Sequence, residues 1–285
     1  MDHAAMGAHG TFTTEELRAS GHTIDSIRAA IGAGRLERII RGWYCVPGTD
    51  RDIVRAIRVG GRLTCVSALA LLGAWTAPTP AEALHIGFPS HASGRRASVR
   101  GLPEAAVAHW HPKAAHTGSA FAVMPLEAAV DDLLRCQPPH LAIAVLDSLL
   151  HERLVNRNRL EAMILAGPHR TRFLVEHLEP RSESGIESVV RFRLAMAGIH
   201  AEVQVRTRTA HRLDLEIGDW LAIEVDGRAV HAQRAAFTKD RVRSAQVMRD
   251  GRIVLQFAFA TVMYDWDFVQ GTIVDVDQRF GPVHR

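Results

Sequence analysis

Two short segments near residue 220 alternate apolar and polar side chains and constrain the fold of this chain most strongly. Successive side chains of a β-strand point to opposite faces, so this period-two alternation predicts two strands that each bury one face. Only three residues separate the segments, which is typical of a hairpin. The segments are Arg212-Leu213-Asp214-Leu215-Glu216-Ile217 and Leu221-Ala222-Ile223-Glu224-Val225-Asp226.

The register of this hairpin follows from keeping its apolar residues on one face. Directly opposed residues of an antiparallel pair have a constant sum of residue numbers. Setting Asp214 opposite Glu224 centres the loop on Asp219, whereas a two-residue turn would mix apolar and polar residues on both faces. The favoured register pairs Leu213 with Val225, Leu215 with Ile223 and Ile217 with Leu221.

The pairing of Asp214 with Glu224 has a chemical consequence. Carboxylates whose Cβ atoms lie about 4.5–5.5 Å apart repel one another, and a cation between them removes that cost. Mg²⁺ suits such oxygen ligands, and in phosphodiester cleavage it polarises a phosphoryl oxygen and activates water. The alternative is a polar sheet face in water that carries Asp214, Glu216, Glu224 and Asp226. Spacing alone leaves both interpretations open.

The elements around this hairpin predict a mixed sheet flanked by helices. An amphipathic helix follows Ser184 and stops at Gly198, and a further strand covers Ala201 to Arg206. After the hairpin we expect a helix over 237–248, a buried strand over 253–257 and a final helix over 266–277. The resulting order, α-β-β-β-α-β, belongs to the α/β (α+β) class.

The first 58 residues predict a winged helix-turn-helix. Thr13 and Glu16 form a capping-box signature at the start of one helix, and a second helix covers Thr23 to Ile31. Residues 36–47 then read as a β-hairpin with a tight Arg41-Gly42 turn. Such a domain docks its second helix in the DNA major groove.

The middle of the chain predicts a mixed α/β region. A short helix over 67–73, strands over 84–88 and 106–110, and helices over 126–135, 141–153 and 158–165 fit its apolar pattern. Its histidines lack helical i, i+4 spacing with a carboxylate between them, so we expect surface or half-buried positions and no metal site; they are His85, His91, His109, His111 and His116. The predicted domains are therefore 1–58, 59–180 and 181–285.

Composition excludes several classes of protein. No apolar run reaches the roughly 18 residues that cross a bilayer, and the N-terminus lacks the pattern of a signal peptide. Cys45, Cys65 and Cys136 are widely spaced, which argues against a zinc knuckle or a disulfide framework and suits a reducing cytoplasm. The net charge of +3 is compatible with a polyanionic partner. We therefore expect a cytoplasmic protein without a membrane partner.

Four motifs in the last third resemble the restriction-endonuclease-like PD-(D/E)XK superfamily, in its Vsr-like branch. They span about residues 182–260 and are Ser184-Gly185-Ile186-Glu187, Arg212-Leu213-Asp214, Ala222-Ile223-Glu224-Val225-Asp226-Gly227 with His231, and Phe237-Thr238-Lys239-Asp240-Arg241-Val242-Arg243. The helix-turn-helix with Arg41-Gly42-Trp43-Tyr44 separately resembles the winged helix of AbiEi-type antitoxins.

The resemblance implies roles for individual residues. Asp214 and Glu224 would hold Mg²⁺ or Mn²⁺, with the Val225 carbonyl as a further ligand and Glu187 contributing from the first helix. His231 would position or deprotonate water, since imidazole titrates near neutrality. Arginines on the helix beside the site, and polar residues of the winged helix, would contact DNA; they are Arg241, Arg243, Ser26, Arg28, Arg35, Arg38 and Arg41.

One departure from the family pattern keeps alternatives open. Asp226 stands where the superfamily usually has lysine, so Asp226 and Lys239 enter as candidate catalytic residues, with Lys239 or an arginine as the substitute cation. Glu187 also has a structural interpretation, because Ser184 and Glu187 form a capping box. The predicted function is a DNA-binding, metal-dependent endonuclease. The alternative is an antitoxin or transcriptional regulator with an inactive nuclease fold and a cognate toxin, and a homodimer is compatible with either.

Overall fold

The computed structural model describes residues 8–78, 83–89, 106–111, 122–207, 212–226, 242 and 244–281. The chain divides into two units. The first contains the residues up to Gly73 and from Pro78 to Cys136, and the second contains Ala74–Ala77 and the chain from Gln137 onward. Each unit mixes helices with small sheets, so the α/β class is confirmed.

The first block of unit 1 has its own small core. Thr13 caps the first helix, and the predicted capping box with Glu16 is present. Phe12, Leu17 and Ile27 contribute to the buried cluster beneath the helices. The elements are β1 (Thr11–Thr13), α1 (Thr14–Ala19), α2 (Ile24–Gly32), β2 (Glu37–Ile40), β3 (Trp43–Cys45) and α3 (Arg51–Arg58).

The two helices and the two hairpin strands predicted for this block are present. β1, β3 and β2 form an antiparallel sheet in that order, and Gly42 takes a φ of 89° at the hairpin turn, a conformation that favours glycine. β1 was not predicted, because three residues are too few to show a period of two.

The rest of unit 1 is a second small sheet with two helices. β5 pairs antiparallel with β4 and parallel with β6. The predicted strands and helices of this region are confirmed, but His85 and His109 are buried, so the expectation of surface or half-buried histidines is wrong for both. The elements are β4 (Arg62–Leu63), α4 (Cys65–Leu71), β5 (His85–Pro89), β6 (Val107–His111) and α5 (Leu126–Cys136).

Unit 2 contains the mixed sheet predicted for the last third. Its strand order is β10-β9-β8-β7, with β10 parallel to β9 and the other pairs antiparallel. Residues 244–249 are helical and precede β10. The elements are α6 (Pro139–His151), α7 (Arg157–Ala166), a 3-10 helix (His169–His177), α8 (Gly185–Met196), β7 (Glu202–Arg206), β8 (Arg212–Ile217), β9 (Leu221–Asp226), β10 (Ile253–Ala258), α9 (Phe259–Tyr264) and α10 (Trp266–Phe280).

Helix α6 packs directly on α8, across the domain boundary predicted after residue 180. Ala144 of α6 belongs to the same buried cluster as Ile186 and Val190 of α8. Arg191 of α8 also reaches Asp147 of α6, with Nη2 and Oδ2 3.0 Å apart in the interior. Helices 139–177 therefore belong with the mixed sheet and not with the middle block. Within the described residues, no helix has the length and apolar character to span a bilayer.

Candidate functional site

The pairing of β8 with β9 follows the predicted register. Leu215 lies opposite Ile223 and Ile217 opposite Leu221, so the hairpin is centred on Asp219. Continued by one residue, this register sets Asp214 against Glu224. The two candidate ligands therefore come from neighbouring strands at the end of their paired segment.

Five of the six apolar residues share one buried cluster, but Leu213 does not. It packs with Ala222 and Val247 in a separate cluster on the other side of the sheet. Gln204 lies on β7, between the two residues that pair with Leu213 and Leu215 of β8. Its φ is 55°, in the left-handed region. This irregularity reverses the alternation at Asp214, which period-two counting does not detect. The five are Leu215, Ile217, Leu221, Ile223 and Val225.

The second face of the sheet is not an open polar surface. Leu213, Ala222 and Val247 bury part of it, and Glu216 is buried there against Arg252. The interpretation of all four hairpin carboxylates as a solvated face is therefore wrong for Glu216. Its charge has a guanidinium partner, which satisfies it without a metal.

Asp214 is half-buried and held by the neighbouring strand. Its Oδ2 accepts a hydrogen bond of 2.9 Å from the backbone N–H of Val225. This contact fixes the carboxylate beside the residue that follows Glu224. Glu224 is also half-buried, and Gln256 of β10 is its partner in the parallel register. Sequence reasoning missed Gln256, whose side chain shares a sheet face with Glu224.

Glu187 is a buried carboxylate in the first turn of α8. Its Oε1 accepts from Ser184 Oγ at 2.7 Å, and its Oε2 accepts from the Glu183 N–H at 3.0 Å and Gln204 Nε2 at 2.7 Å. The predicted structural role at the helix N-terminus is thus present. Gln204, whose backbone is left-handed, is thus one of the residues that bond this carboxylate. The sequence did not indicate this contact.

The charges of Glu187 and Asp214 interact. Burial raises the pKa of Glu187, and the Asp214 carboxylate raises it further, against the lowering effect of its hydrogen bonds. Two carboxylates that disfavour each other's ionisation are typical of a place where a cation is stabilising. Within the described residues, Glu187, Asp214 and Glu224 do not form a set whose ligand atoms all lie within 4.8 Å of one another.

The remaining candidates of this site are only partly described. Asp226 is the last residue of β9 and pairs with Ala258 of β10, which gives its backbone position alone. The other candidates lie outside the described residues, and their roles stay predictions; they are His231, Lys239, Arg241 and Arg243.

The candidate DNA contacts of unit 1 are mostly exposed. Arg35, Arg38 and Arg41 lie at the surface near the hairpin, and Arg38 Nε donates to the Ile40 carbonyl. Arg28, on α2, is exposed but pairs with Asp25, with Nη1 and Oδ1 3.1 Å apart. Ser26 is used within α2, where its N–H donates to the Thr23 side chain and its hydroxyl to the Thr23 carbonyl.

A second cluster of possible ligands, in unit 1, escaped sequence reasoning. One ligand atom from each of four residues lies within 4.8 Å of the others; the residues are Cys65, His85, His109 and Cys136. Each comes from a different element, and consecutive members are at least about twenty residues apart, so no short spacing motif contains them. The available signal was the placement of His85 within an otherwise apolar strand.

Comparison with known proteins gives little further constraint. No family model and no curated protein matches this sequence. Among solved structures three chains match, one of them from a crystal structure of the RV2827C protein of Mycobacterium tuberculosis. That chain is 19% identical, with a TM-score of 0.29, over 70% of this chain and 81% of the other. Similarity at this level carries no conclusion about fold or function.

Proposed function

We propose that this protein binds DNA and hydrolyses phosphodiester bonds with a divalent metal ion held by unit 2. The observation that carries the proposal is the register of β8 with β9, which brings Asp214 against Glu224 when continued by one residue. The order α8-β7-β8-β9-helix-β10, with its mixed sheet, supports the resemblance to the PD-(D/E)XK superfamily.

The donor set fits a hard cation. Asp214 and Glu224 offer oxygen ligands, both half-buried, and the Val225 carbonyl is the further ligand that the resemblance implies. When bound, Mg²⁺ supplies a Lewis acid for a phosphoryl oxygen and for the attacking water. A site with few protein ligands leaves coordination positions for both.

The protein's own residues orient this set. The Val225 N–H donates to Oδ2 of Asp214 and so orients this carboxylate at the end of the hairpin. Glu187, held by Ser184 and Gln204, adds a carboxylate that interacts electrostatically with Asp214. The negative potential of these groups would attract a divalent cation to the end of the hairpin. His231 would accept the proton of the attacking water, the role that the resemblance gives it.

DNA docking would come from unit 1. The helix-turn-helix and hairpin have the element order of a winged helix, and exposed Arg38 and Arg41 lie on and beside the hairpin. In such domains the second helix enters the major groove, and arginines contact the phosphates. Phosphate contacts provide affinity without sequence information.

A second function, a DNA-binding antitoxin or regulator without catalysis, is favoured by one observation. Asp226 occupies the position where the superfamily usually has a lysine, so a positive charge at that position is replaced by a negative one. Lys239 is the substitute in the catalytic proposal. The two functions differ in one measurable property, the metal-dependent cleavage of DNA.

The test is nicking of supercoiled plasmid by the purified full chain in Mg²⁺ or Mn²⁺. Asp214→Asn and Glu224→Gln each remove a charge with little change in shape, and we expect both to abolish nicking. Asp219→Asn, an exposed carboxylate in the loop of the same hairpin, is the matched control and should keep full activity. Nicked, mismatched and RNA substrates extend the assay to other forms.

The outcomes separate the two functions. Nicking that is lost in EDTA and in both site variants supports the nuclease. Equal trace activity in wild type and both variants identifies a contaminant. The protein is then a DNA-binding regulator with a nuclease-like fold, provided that it still binds duplex DNA.

His231→Ala tests the assignment of the general base. We expect cleavage to slow by roughly 10²–10⁴-fold, because a positioned base contributes about that factor. Mn²⁺ binding, measured by titration calorimetry, should be unchanged, since His231 is not assigned as a ligand. His200→Ala, at an exposed imidazole paired with Glu202, is the control. Loss of Mn²⁺ binding in His231→Ala would make His231 a ligand instead.

A further inference from the structure

Four side chains of unit 1 converge on one point. They are Cys65 at the start of α4, His85 on β5, His109 on β6 and Cys136 at the end of α5, each with one ligand atom within 4.8 Å of the others. His85 Nδ1 lies 3.1 Å from His109 Nε2, and Cys136 Sγ lies 3.8 Å from His85 Nδ1. Cys65, His85 and His109 are buried, and Cys136 is the most exposed of the four.

We propose that these residues hold a structural zinc ion. With Zn–N of about 2.0–2.1 Å and Zn–S of about 2.3 Å, tetrahedral geometry sets nitrogens roughly 3.3 Å apart and nitrogen and sulfur roughly 3.6 Å apart. The two distances in the cluster agree with these edges to within a few tenths of an ångström. Two of the six edges therefore match a tetrahedral zinc site, and all four ligand atoms lie within 4.8 Å of one another.

The residue behind His109 supports metal ligation. Asp132 is buried, and its Oδ1 lies 3.4 Å from His109 Nδ1. A carboxylate on one ring nitrogen fixes the tautomer that leaves the other nitrogen as a ligand, here Nε2 toward the cluster. Thr64 Oγ1 donates to Oδ2 of the same carboxylate, and His111 Nε2 lies 3.1 Å from it. The hydrogen bond from Thr64, which is not a ligand, therefore helps to hold Asp132 in place.

The backbone at Cys65 is strained in a way that fits this role. Its φ is 50°, in the left-handed region, which is unfavourable for a residue with a Cβ. Strain of this kind persists where the surrounding structure requires the side chain in one place. At Cys65 it accompanies a fully buried thiol that meets His85, His109 and Cys136.

The ligand set identifies the metal and its role. Two thiolates and two imidazoles suit Zn²⁺ and not Mg²⁺, which takes oxygen ligands. Two thiolate charges balance one zinc ion, so a neutral centre forms in a mostly buried place. Four protein ligands close the coordination shell, which is the pattern of structural sites rather than catalytic ones. The ion would tie β5 and β6 to α4 and α5 within unit 1.

Two other accounts of the cluster exist. In the first, His85 Nδ1–H donates to His109 Nε2 and the cluster is a buried hydrogen-bonded group without metal. In the second, Cys65 and Cys136 form a disulfide. The three accounts predict different metal contents and different numbers of reactive thiols.

The test uses the full chain, produced without a histidine tag in medium that contains zinc. We expect one zinc ion per chain by mass-spectrometric elemental analysis. Replacement by Co²⁺ should give the intense visible bands of a tetrahedral ion, together with thiolate-to-cobalt charge transfer in the near ultraviolet. His85→Cys keeps a ligand and should raise the charge-transfer intensity by about half, from two thiolates to three.

Matched variants separate the site from general effects of cysteine loss. Cys136→Ser and Cys65→Ser should lower zinc content to near zero, whereas Cys45→Ala, at the third cysteine of the same unit, should retain the ion. Where a serine variant fails to fold, the cobalt spectra of the wild type and of His85→Cys still decide whether the cluster binds metal.

Several results would overturn the proposal. Wild type without zinc that also fails to give a tetrahedral cobalt spectrum favours the hydrogen-bonded cluster. A mass two hydrogens lower, with one reactive thiol instead of three after denaturation, identifies the disulfide. Zinc that persists in both the Cys65 and Cys136 variants places the ion elsewhere. The carboxylate pair of unit 2 is not involved, so nicking activity decides nothing about this site.

Discussion

The two candidate metal sites differ in chemistry and in construction. The pair in unit 2 offers carboxylate oxygens from one hairpin, and few protein ligands leave room for water and substrate. The cluster in unit 1 offers sulfur and nitrogen from four elements and closes the coordination shell. An open oxygen site exchanges its ion and suits catalysis, whereas a closed thiolate and imidazole site holds its ion as part of the fold. Under the two proposals, the molecule would use one metal for chemistry and another for stability.

The largest expected effect is the loss of stability of unit 1 when its metal is removed. Zinc binding is folding free energy in small domains, about 10 kcal/mol or more in zinc-finger peptides. We expect unfolding in denaturant with a strong chelator to become irreversible until zinc is returned. Asp214→Asn and Glu224→Gln should instead leave Tm unchanged or raise it, since they remove repulsion. A chelator-insensitive unfolding transition would contradict the distinction between the sites.

In unit 2, an ion pair without metal joins α6 to α8, as the proposed zinc ion would join the elements of unit 1. Arg191 Nη2 donates to Asp147 Oδ2 at 3.0 Å and to the His177 carbonyl, and the Glu179 N–H donates to Asp147 Oδ1. Asp147→Ala leaves a buried guanidinium without its charge partner, which we expect to cost about 3–5 kcal/mol. Urea unfolding measures the change, with the exposed Asp219→Asn as the control. A cost below about 1 kcal/mol would show that apolar packing alone joins the helices.

The DNA contacts assigned to unit 1 predict a change in salt dependence. Affinity for duplex DNA should fall with salt at a slope of roughly −0.9 per neutralised phosphate, so replacing Arg38 and Arg41 by alanine should flatten the slope by about two. The control replaces Arg51 and Arg58, exposed on α3, with the same change in net charge. Fluorescence anisotropy across a salt series measures both. Equal slopes for both double variants would show that the hairpin does not touch DNA.

The smallest predicted effect is the acid sensitivity of unit 2 at His140. Burial first, and then the charge of Arg193, lower the pKa of His140 to about 4, and Arg193 Nη2 lies 3.0 Å from its Nε2. Because the folded pKa lies below that of the unfolded chain, stability present above about pH 6.5 is lost as the pH falls toward 4. For this half-buried ring we expect a loss of about 1 kcal/mol between pH 7 and 5. His140→Gln should remove that difference, and an unchanged pH profile would contradict it.

Local patterns predicted the hairpin because all the residues that determine its pairing lie within fifteen consecutive positions. Alternation fixed the pairing of Leu215 with Ile223, and the capping signature at Thr13 and Glu16 fixed the start of α1. The prediction for Leu213 is wrong because the alternation of β8 breaks at Asp214, next to the left-handed residue Gln204 on the neighbouring strand. Gln204 carries no local sign of this conformation, since it is neither glycine nor asparagine.

The Cys/His cluster could not be predicted in the same way. Its members lie on two strands of one small sheet and on two helices, which are far apart in sequence. Their spacing therefore reflects the lengths of the connecting segments and not coordination. The wide spacing of the cysteines does exclude a compact knuckle, as expected. It does not exclude a site assembled by tertiary structure. Asp147 and Arg191 likewise meet across 44 residues, on either side of the boundary predicted after residue 180, and local patterns do not show such a contact.

The most direct test of the two-site account is anomalous diffraction from one crystal of the full chain, grown without added zinc and soaked in Mn²⁺. Data at the zinc edge should show a peak among Cys65, His85, His109 and Cys136. Data at the manganese edge should show a separate peak roughly 2 Å from carboxylate oxygens of both Asp214 and Glu224. The account is contradicted if manganese binds only at the surface and neither site shows an anomalous peak at the absorption edge of its metal.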